Sequence, residues 1–233
     1  MKILLFVLMS GCASAQIESP QLGVMVDANG RARPVSGTLA AAVAGTPWFD
    51  GVVMSLACSA EGCVAKTESA LFTPAGVVVD APPGAAIIAL DRTRPGTAYV
   101  YFVENGRLGR WTGNDLIAMD FAPEGDVLAL RAVAGGFEYA VEHDGEVWIG
   151  GKCLGAANSV LLLDGGGALL ASDGHVRLLR SDGTELDFTV GGFVGGFIRM
   201  SDQYVQVITD GGMWALDIEP GQEQMFLLPG VSQ

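Results

Sequence analysis

Carboxylates are the most abundant groups in this chain that could do chemistry: 26 Asp and Glu stand against 13 Lys and Arg. Two carboxyl groups held at a set separation across a sugar ring can cleave a glycosidic bond. One acts as the acid and the other as nucleophile or base. Eight acidic residues lie next to predicted loops and are candidates for such a pair: Asp50, Asp80, Asp120, Glu124, Asp126, Asp144, Asp173 and Asp210. Three of them have a simpler explanation. Asp144, Asp173 and Asp210 each precede a glycine in a predicted hairpin turn, where backbone geometry alone favours Asp. The sequence therefore assigns no catalytic residue and no cofactor.

Other reactive patterns are sparse. "HDGEVW" and "TDGGMW" place Gly directly after Asp, so neither fits the S-x-D-x-G-x-x-W pattern of sialidases. No G-x-S-x-G, H-E-x-x-H, G-x-x-x-x-G-K-[ST] or G-x-G-x-x-G phrase occurs. The chain has two histidines, His143 and His175; both adjoin turns in different repeats and read as solvated. Cys58 and Cys63 enclose "SAEG". With no companion cysteines or histidines, C-x4-C is a poor metal or redox pair, whereas facing positions across a hairpin suit a disulfide. Cys153 reads as a small buried apolar residue.

Trp148 and Trp214 each follow a turn glycine by three residues, and Trp111 follows Gly106 by five. Matching places in separate repeats point to packing between the repeats. Trp48, in "GTPWFDG", falls outside them and is the aromatic most open to ligand contact.

The elements that must position these residues are short strands. Runs of Val, Ile, Leu, Phe, Tyr and Trp alternate with Asn29-Gly30, Asn105-Gly106, Asp144-Gly145, Asp164-Gly165, Asp173-Gly174, Asp182-Gly183 and Asp210-Gly211. Each dipeptide suits a tight hairpin turn, which needs positive φ. "AYVYFVENGRLGRW", "FEYAVEHDGEVW", "ALLASDGHVRLL" and "QYVQVITDGGMW" repeat one hairpin about every forty residues. Around these, residues 51–80, 85–120, 159–190 and 197–229 each read as a four-strand unit, and a further unit starts at Asp126. The fourth strand near Cys153 is indistinct, and residues 22–45 add about three strands.

A single four-strand sheet cannot bury both apolar faces, but copies fanned around one axis cover each other. The expected fold is thus all-β: a β-propeller of four-stranded antiparallel blades. Six blades are favoured, with the N-terminal segment closing the ring, and five are possible. A β-sandwich or irregular barrel is the competing architecture. The hairpin phrases resemble those of bacterial exported β-propeller repeat proteins across residues 22–229, a generic resemblance that implies fold and leaves activity open.

"MKILLFVLMSGCASAQ" has the order of a secretory signal: charge, short apolar core, small residues. Cleavage after Ala15 and lipidation at Cys12, in the lipobox-like "MSGC", both remain open. The expected organisation is a signal peptide at 1–15, a linker at 16–21 and one propeller domain at 22–233. The product would be periplasmic or extracellular, with an outer-membrane lipoprotein as the alternative.

A formal charge of −13 with scattered basic residues disfavours nucleic acid and anionic membrane. No segment after the leader is apolar enough for a membrane helix. The leading expectation is a monomeric, non-catalytic binding module for a protein or glycan. A carboxylate-based glycan hydrolase and a structural envelope protein are the alternatives.

Overall fold

The computed structural model describes residues 19–38 and 41–229. The leader, with Cys12, lies outside those residues. The described residues form strands and two single-turn 3-10 segments, Val103–Asn105 and Asp164–Gly166. Alternation of β-branched and aromatic residues between Gly-rich turns leaves little scope for helix.

An N-terminal sheet holds β1 (Gln21–Val26), β2 (Ala32–Thr38) and β3 (Ala41–Ala44). Five antiparallel meanders follow. The first is β4 (Ser55–Ser59), β5 (Gly62–Lys66), β6 (Ala70–Phe72) and β7 (Val78–Asp80). The second is β8 (Ala86–Leu90), β9 (Ala98–Phe102), β10 (Arg107–Trp111) and β11 (Leu116–Met119). The third is β12 (Asp126–Val133), β13 (Gly136–His143), β14 (Glu146–Ile149) and β15 (Lys152–Gly155), so the strand near Cys153 exists. The fourth is β16 (Ser159–Leu162), β17 (Ala168–Ser172), β18 (His175–Leu179) and β19 (Glu185–Thr189). The fifth is β20 (Val194–Arg199), β21 (Tyr204–Thr209), β22 (Gly212–Asp217) and β23 (Gln224–Leu227).

The leading strands β4, β8, β12, β16 and β20 pack against one another in chain order, and β20 returns to β4. That last contact includes one parallel bridge, Arg199 to Ala57, which merges the fifth and first meanders into an eight-stranded sheet. This radial closure is a β-propeller arrangement, not the face-to-face layers of a sandwich.

Each crease between neighbouring sheets holds its own apolar cluster. Between the fourth and fifth meanders, for example, Leu169 and Leu178 meet Val205, Val207 and Leu216. Sheets covered on both faces explain why the strands read as nearly unbroken apolar runs.

The favoured ring of six, with the N-terminal segment as the closing blade, does not describe this arrangement. That segment makes three strands, and β20 reaches β4 without it. The N-terminal sheet is instead a wedge in the outer part of the crease between the fifth and first meanders. Val24 and Val26 pack toward Leu56, Cys58 and Phe72 on one side, and Leu22, Met25 and Val35 pack toward Tyr204 and Ala215 on the other. Val24 N–H donates to Met200 O at 3.0 Å. A Cβ at Gly23, whose φ is +136°, would lie 2.3 Å from that carbonyl oxygen, so only glycine permits the approach.

All seven Asn-Gly and Asp-Gly dipeptides mark turns, but their geometries differ. Both residues are at positive φ in Asp144-Gly145 (54° and 80°) and Asp173-Gly174 (47° and 78°), as a type I′ hairpin requires. Asp164-Gly165 instead belongs to the longer loop between β16 and β17, with its 3-10 turn. That difference matters at the channel mouth.

Candidate functional site

The leading strands surround a narrow channel of about 210 Å³, lined by side chains such as Ile88, Leu128, Leu161 and Phe197. None of the eight candidate carboxylates lines it. All eight are exposed, on connections, turn tips or, for Asp80 and Asp126, at the end of a strand. Asp144, Asp173 and Asp210 occupy the hairpin between second and third strands in three different meanders, so the propeller spaces them apart.

Two carboxylates that the sequence did not single out as a site do meet at one mouth of the channel. Asp164 accepts from Arg92 Nε at 2.7 Å and from Arg199 at 2.6 Å, and Asp202 pairs with the other arm of Arg92. Asp202 also accepts from the Ala60 N–H at 3.2 Å. The loops after β4, β8, β16 and β20 are thereby tied across the opening. Burial pushes the Arg199 guanidinium below its ordinary value, with Asp164 opposing. A surface-hairpin reading of Asp164-Gly165 hides this contact, because the loop turns the carboxylate inward.

The arginines act as staples between sheets throughout. Arg131 donates to Leu163 O at 2.8 Å and pairs with Glu138; Arg180 donates to Ile218 O at 2.9 Å and to Glu223 at 2.5 Å. Each such bond satisfies carbonyls that strand pairing leaves over.

A hydrolytic acid needs its pKa raised toward neutrality. The carboxyl groups with a resolved shift, Asp27, Asp91, Asp182 and Glu223, are all held low. At Asp27, burial alone would raise the value. Hydrogen bonds from the Arg31 N–H, Arg33 Nε and the Asn29 N–H outweigh it. Asp91 repeats the design with Thr93 and Arg94 against the same burial. Among the described residues, no cluster of His, Cys, Asp and Glu is spaced to hold a metal ion.

A broad concave surface lies on the third meander. Phe137, Tyr139 and Val141 alternate along one face of β13, and Trp148 on β14 stands opposite Val141. With Glu124, Glu138 and His143 at the rim they line a groove of about 620 Å³. Its bed is fixed by aromatic contacts. Phe121, from the connection before β12, sits 5.5 Å from Phe137, 5.1 Å from Tyr139 and 5.8 Å from Tyr101, ring centre to ring centre. Edge-to-face pairs of this kind restrain the rings before any ligand arrives.

The remaining sequence candidates divide cleanly. Cys58 and Cys63 form the expected disulfide at directly paired positions of β4 and β5. His143 and His175 are exposed, beside Asp144 and Asp187 respectively. Trp111 and Trp214 pack between meanders as expected. Trp148 does not, and lines the groove instead. Trp48 is half-buried against the first meander and the wedge, so it is less open than its loop position implies. Cys153 is likewise half-buried, with Sγ 3.4 Å from a Glu146 carboxylate oxygen, because β15 is an outer edge strand.

Among the described residues, no helix is long and apolar enough to cross a membrane.

No protein-family model matches the chain, and no curated protein matches it. Solved structures do. PorZ of Porphyromonas gingivalis, described as an essential bacterial surface component of the type-IX secretion system, aligns with a TM-score of 0.56 at 14% identity, over 93% of this chain and 38% of that one. This chain thus spans well under half of PorZ. A chain from a nidogen/laminin complex aligns with a TM-score of 0.58 at 13% identity, over 88% of this chain and 92% of that one. BBS1N, in its complex with ARL6DN, gives 0.50 at 11% identity, over 88% and 75%. Identities this low speak to fold alone, and they agree with the strand order in placing the chain among propeller-like structures.

Proposed function

We propose that this protein is an exported five-bladed β-propeller that binds a partner protein or glycan through the aromatic groove of the third meander. The count of five rests on the five leading strands that pass around the channel, with the N-terminal sheet as a wedge outside them. The leader at 1–15, the linker at 16–21 and a single domain over 22–233 belong to the same proposal, as does a monomeric state. The Cys58–Cys63 disulfide suits an oxidising compartment.

The observation that carries the binding role is the groove itself. It offers Phe137, Tyr139 and Trp148 at a concave surface on a sheet whose strand pairing keeps it rigid. Large aromatic side chains on a rigid bed are the residues from which recognition sites draw most of their energy. Binding is favoured over hydrolysis because none of the candidate carboxylates lines the channel, the carboxylates at its mouth are already paired with arginine, and the shifted carboxyl groups lie low instead of high.

A combined glycan and peptide array tests the reading. Wild-type protein should retain a reproducible set of ligands, and Trp148→Ala should lose them while keeping its fold by circular dichroism. Ligands retained equally by Trp148→Ala would move the site elsewhere. Mass spectrometry of the mature N-terminus separates cleavage after Ala15 from a lipid on Cys12.

A further inference from the structure

The aromatic groove of the third meander carries a charge pattern that narrows its ligand. Its lining includes Glu124 and Glu138 but, among the described residues, no Lys or Arg and no Asn, Gln, Ser or Thr. Glu138 is engaged by Arg131. Glu124, on the connection before β12, is exposed and in no ion pair among the described residues. Glu146 directly faces His143 across β13 and β14, two positions from Trp148 and on the same side of the sheet, and its contact is the Cys153 thiol. On the second meander, Arg110 shares a face of β10 with Leu108, yet it does not line the groove.

Phe137, Tyr139 and Trp148 line the groove while only half-buried, which leaves ring surface for contact. The face of an aromatic ring is electron-rich and attracts a cation, with Trp the strongest of the three. Uncommitted carboxylates at the rim add attraction of the same sign, and Val141 and Ile149 offer apolar area to the aliphatic stem of a long basic side chain. A neutral glycan would rely on fixed polar side chains beside the rings to orient its hydroxyls, and an anion would be repelled.

We infer that the groove is selective for a basic segment of a partner protein, with an arginine side chain as its anchor, an inference that rests on the groove being the binding site. The planar guanidinium stacks on an aromatic face and is less strongly hydrated than an ammonium, so arginine is preferred over lysine. Its charge is met by Glu124 and Glu146, which the fold leaves unpaired with any base among the described residues.

The experiment follows the indole N–H resonance of Trp148 in the 15N-labelled protein, assigned by its loss in Trp148→Phe. The probe is the peptide acetyl-Ala-Arg-Ala-Arg-Ala-amide, with a counterpart carrying citrulline, the uncharged near-isostere, in place of both arginines. The expected result is a saturable shift of the Trp148 resonance by the arginine peptide and binding about five- to twentyfold weaker for the citrulline peptide. Raising salt from about 50 mM to about 500 mM should weaken the arginine peptide, because screening acts on charge and not on apolar contact. Glu124→Gln, an exposed change on a connection, should weaken it about two- to fivefold, the range of an exposed ion pair. Asp50→Asn, ahead of β4, alters the net charge equally and should leave binding unchanged. No saturable shift, equal binding of the two peptides, or equal weakening by Glu124→Gln and Asp50→Asn would overturn the assignment. A neutral oligosaccharide that shifts Trp148 where the arginine peptide does not would also overturn it, and would keep the groove as a glycan site. Array ligands that survive Trp148→Ala remove the groove itself, so the two failures are distinguishable.

Discussion

Two creases of this propeller are built in opposite ways. The one between the fifth and first meanders is filled: the N-terminal sheet occupies its outer part, and Gln206 and Asp27 pair the backbone groups they meet there. Gln206, fully buried on β21, accepts from Val26 N–H at 2.9 Å and donates to Val26 O at 2.8 Å. Its amide thus behaves as an extra strand residue for the edge of β1. Asp27 closes the β1–β2 turn through the Asn29 and Arg31 N–H groups and Arg33. The crease between the second and third meanders has no wedge, and aromatic side chains of β13 and β14 remain at its surface. The ring's closure point is secured with hydrogen bonds, whereas the aromatic crease keeps apolar area available. Stability should be concentrated at the first and recognition at the second.

That contrast can be broken most directly at Gln206. Gln206→Leu keeps the volume but leaves Val26 N–H and C=O unpaired, and should cost about 2–4 kcal/mol. Denaturant midpoints measure it, and the Val26 amide should lose its protection from hydrogen exchange. A loss below about 0.5 kcal/mol would show that the wedge does not depend on this amide.

Removing the disulfide by a Cys58→Ser/Cys63→Ser pair comes next. The bridge closes a loop with a sequence separation of 5, for which chain entropy predicts about 2 kcal/mol. An unchanged thermal midpoint would place that part of the first meander under the control of the wedge alone.

The aromatic crease should behave differently. Trp148→Ala should change stability by less than about 1 kcal/mol, since Trp148 belongs to none of the buried clusters between sheets, yet weaken ligand binding about tenfold or more. A large stability loss without a binding defect would reverse the comparison.

The smallest effect is the acid dependence of the filled crease. Asp27 is held below its ordinary range in the folded chain, so its contribution is fully present above about pH 4 and fades as pH falls through the lower folded value. Asp27→Asn should flatten the urea-midpoint profile between pH 5 and pH 2, each of these limits being about a unit or two from the ordinary carboxylate value. A parallel profile would mean that other carboxylates, Asp91 first, govern the acid transition.

Much of this was open to a reader of the sequence, for definite reasons. Short apolar runs and turn glycines are local properties, so the hairpins at 105–106, 144–145, 173–174 and 210–211 could be placed without coordinates. The Cys58–Cys63 bridge was legible because a hairpin brings facing residues together through its own geometry. Asp164 was misread as a simple turn residue, since its partners Arg92 and Arg199 come from sheets far away in the chain. Trp148 and Trp214 have equal spacing from their turns, yet one faces a groove and the other a core. The difference lies in what neighbouring meanders place opposite them.

The sequence by itself determined the repeating sheet, its turns and the need for each sheet to be covered, because short apolar runs and positive-φ residues act over a few neighbouring positions. Only the tertiary structure decided how many sheets reach the axis, where the N-terminal strands lodge, and which aromatic and acidic groups remain available. Those outcomes depend on the angle at which successive sheets pack and on contacts between residues more than a hundred positions apart, such as Arg92 with Asp202 or Val26 with Gln206.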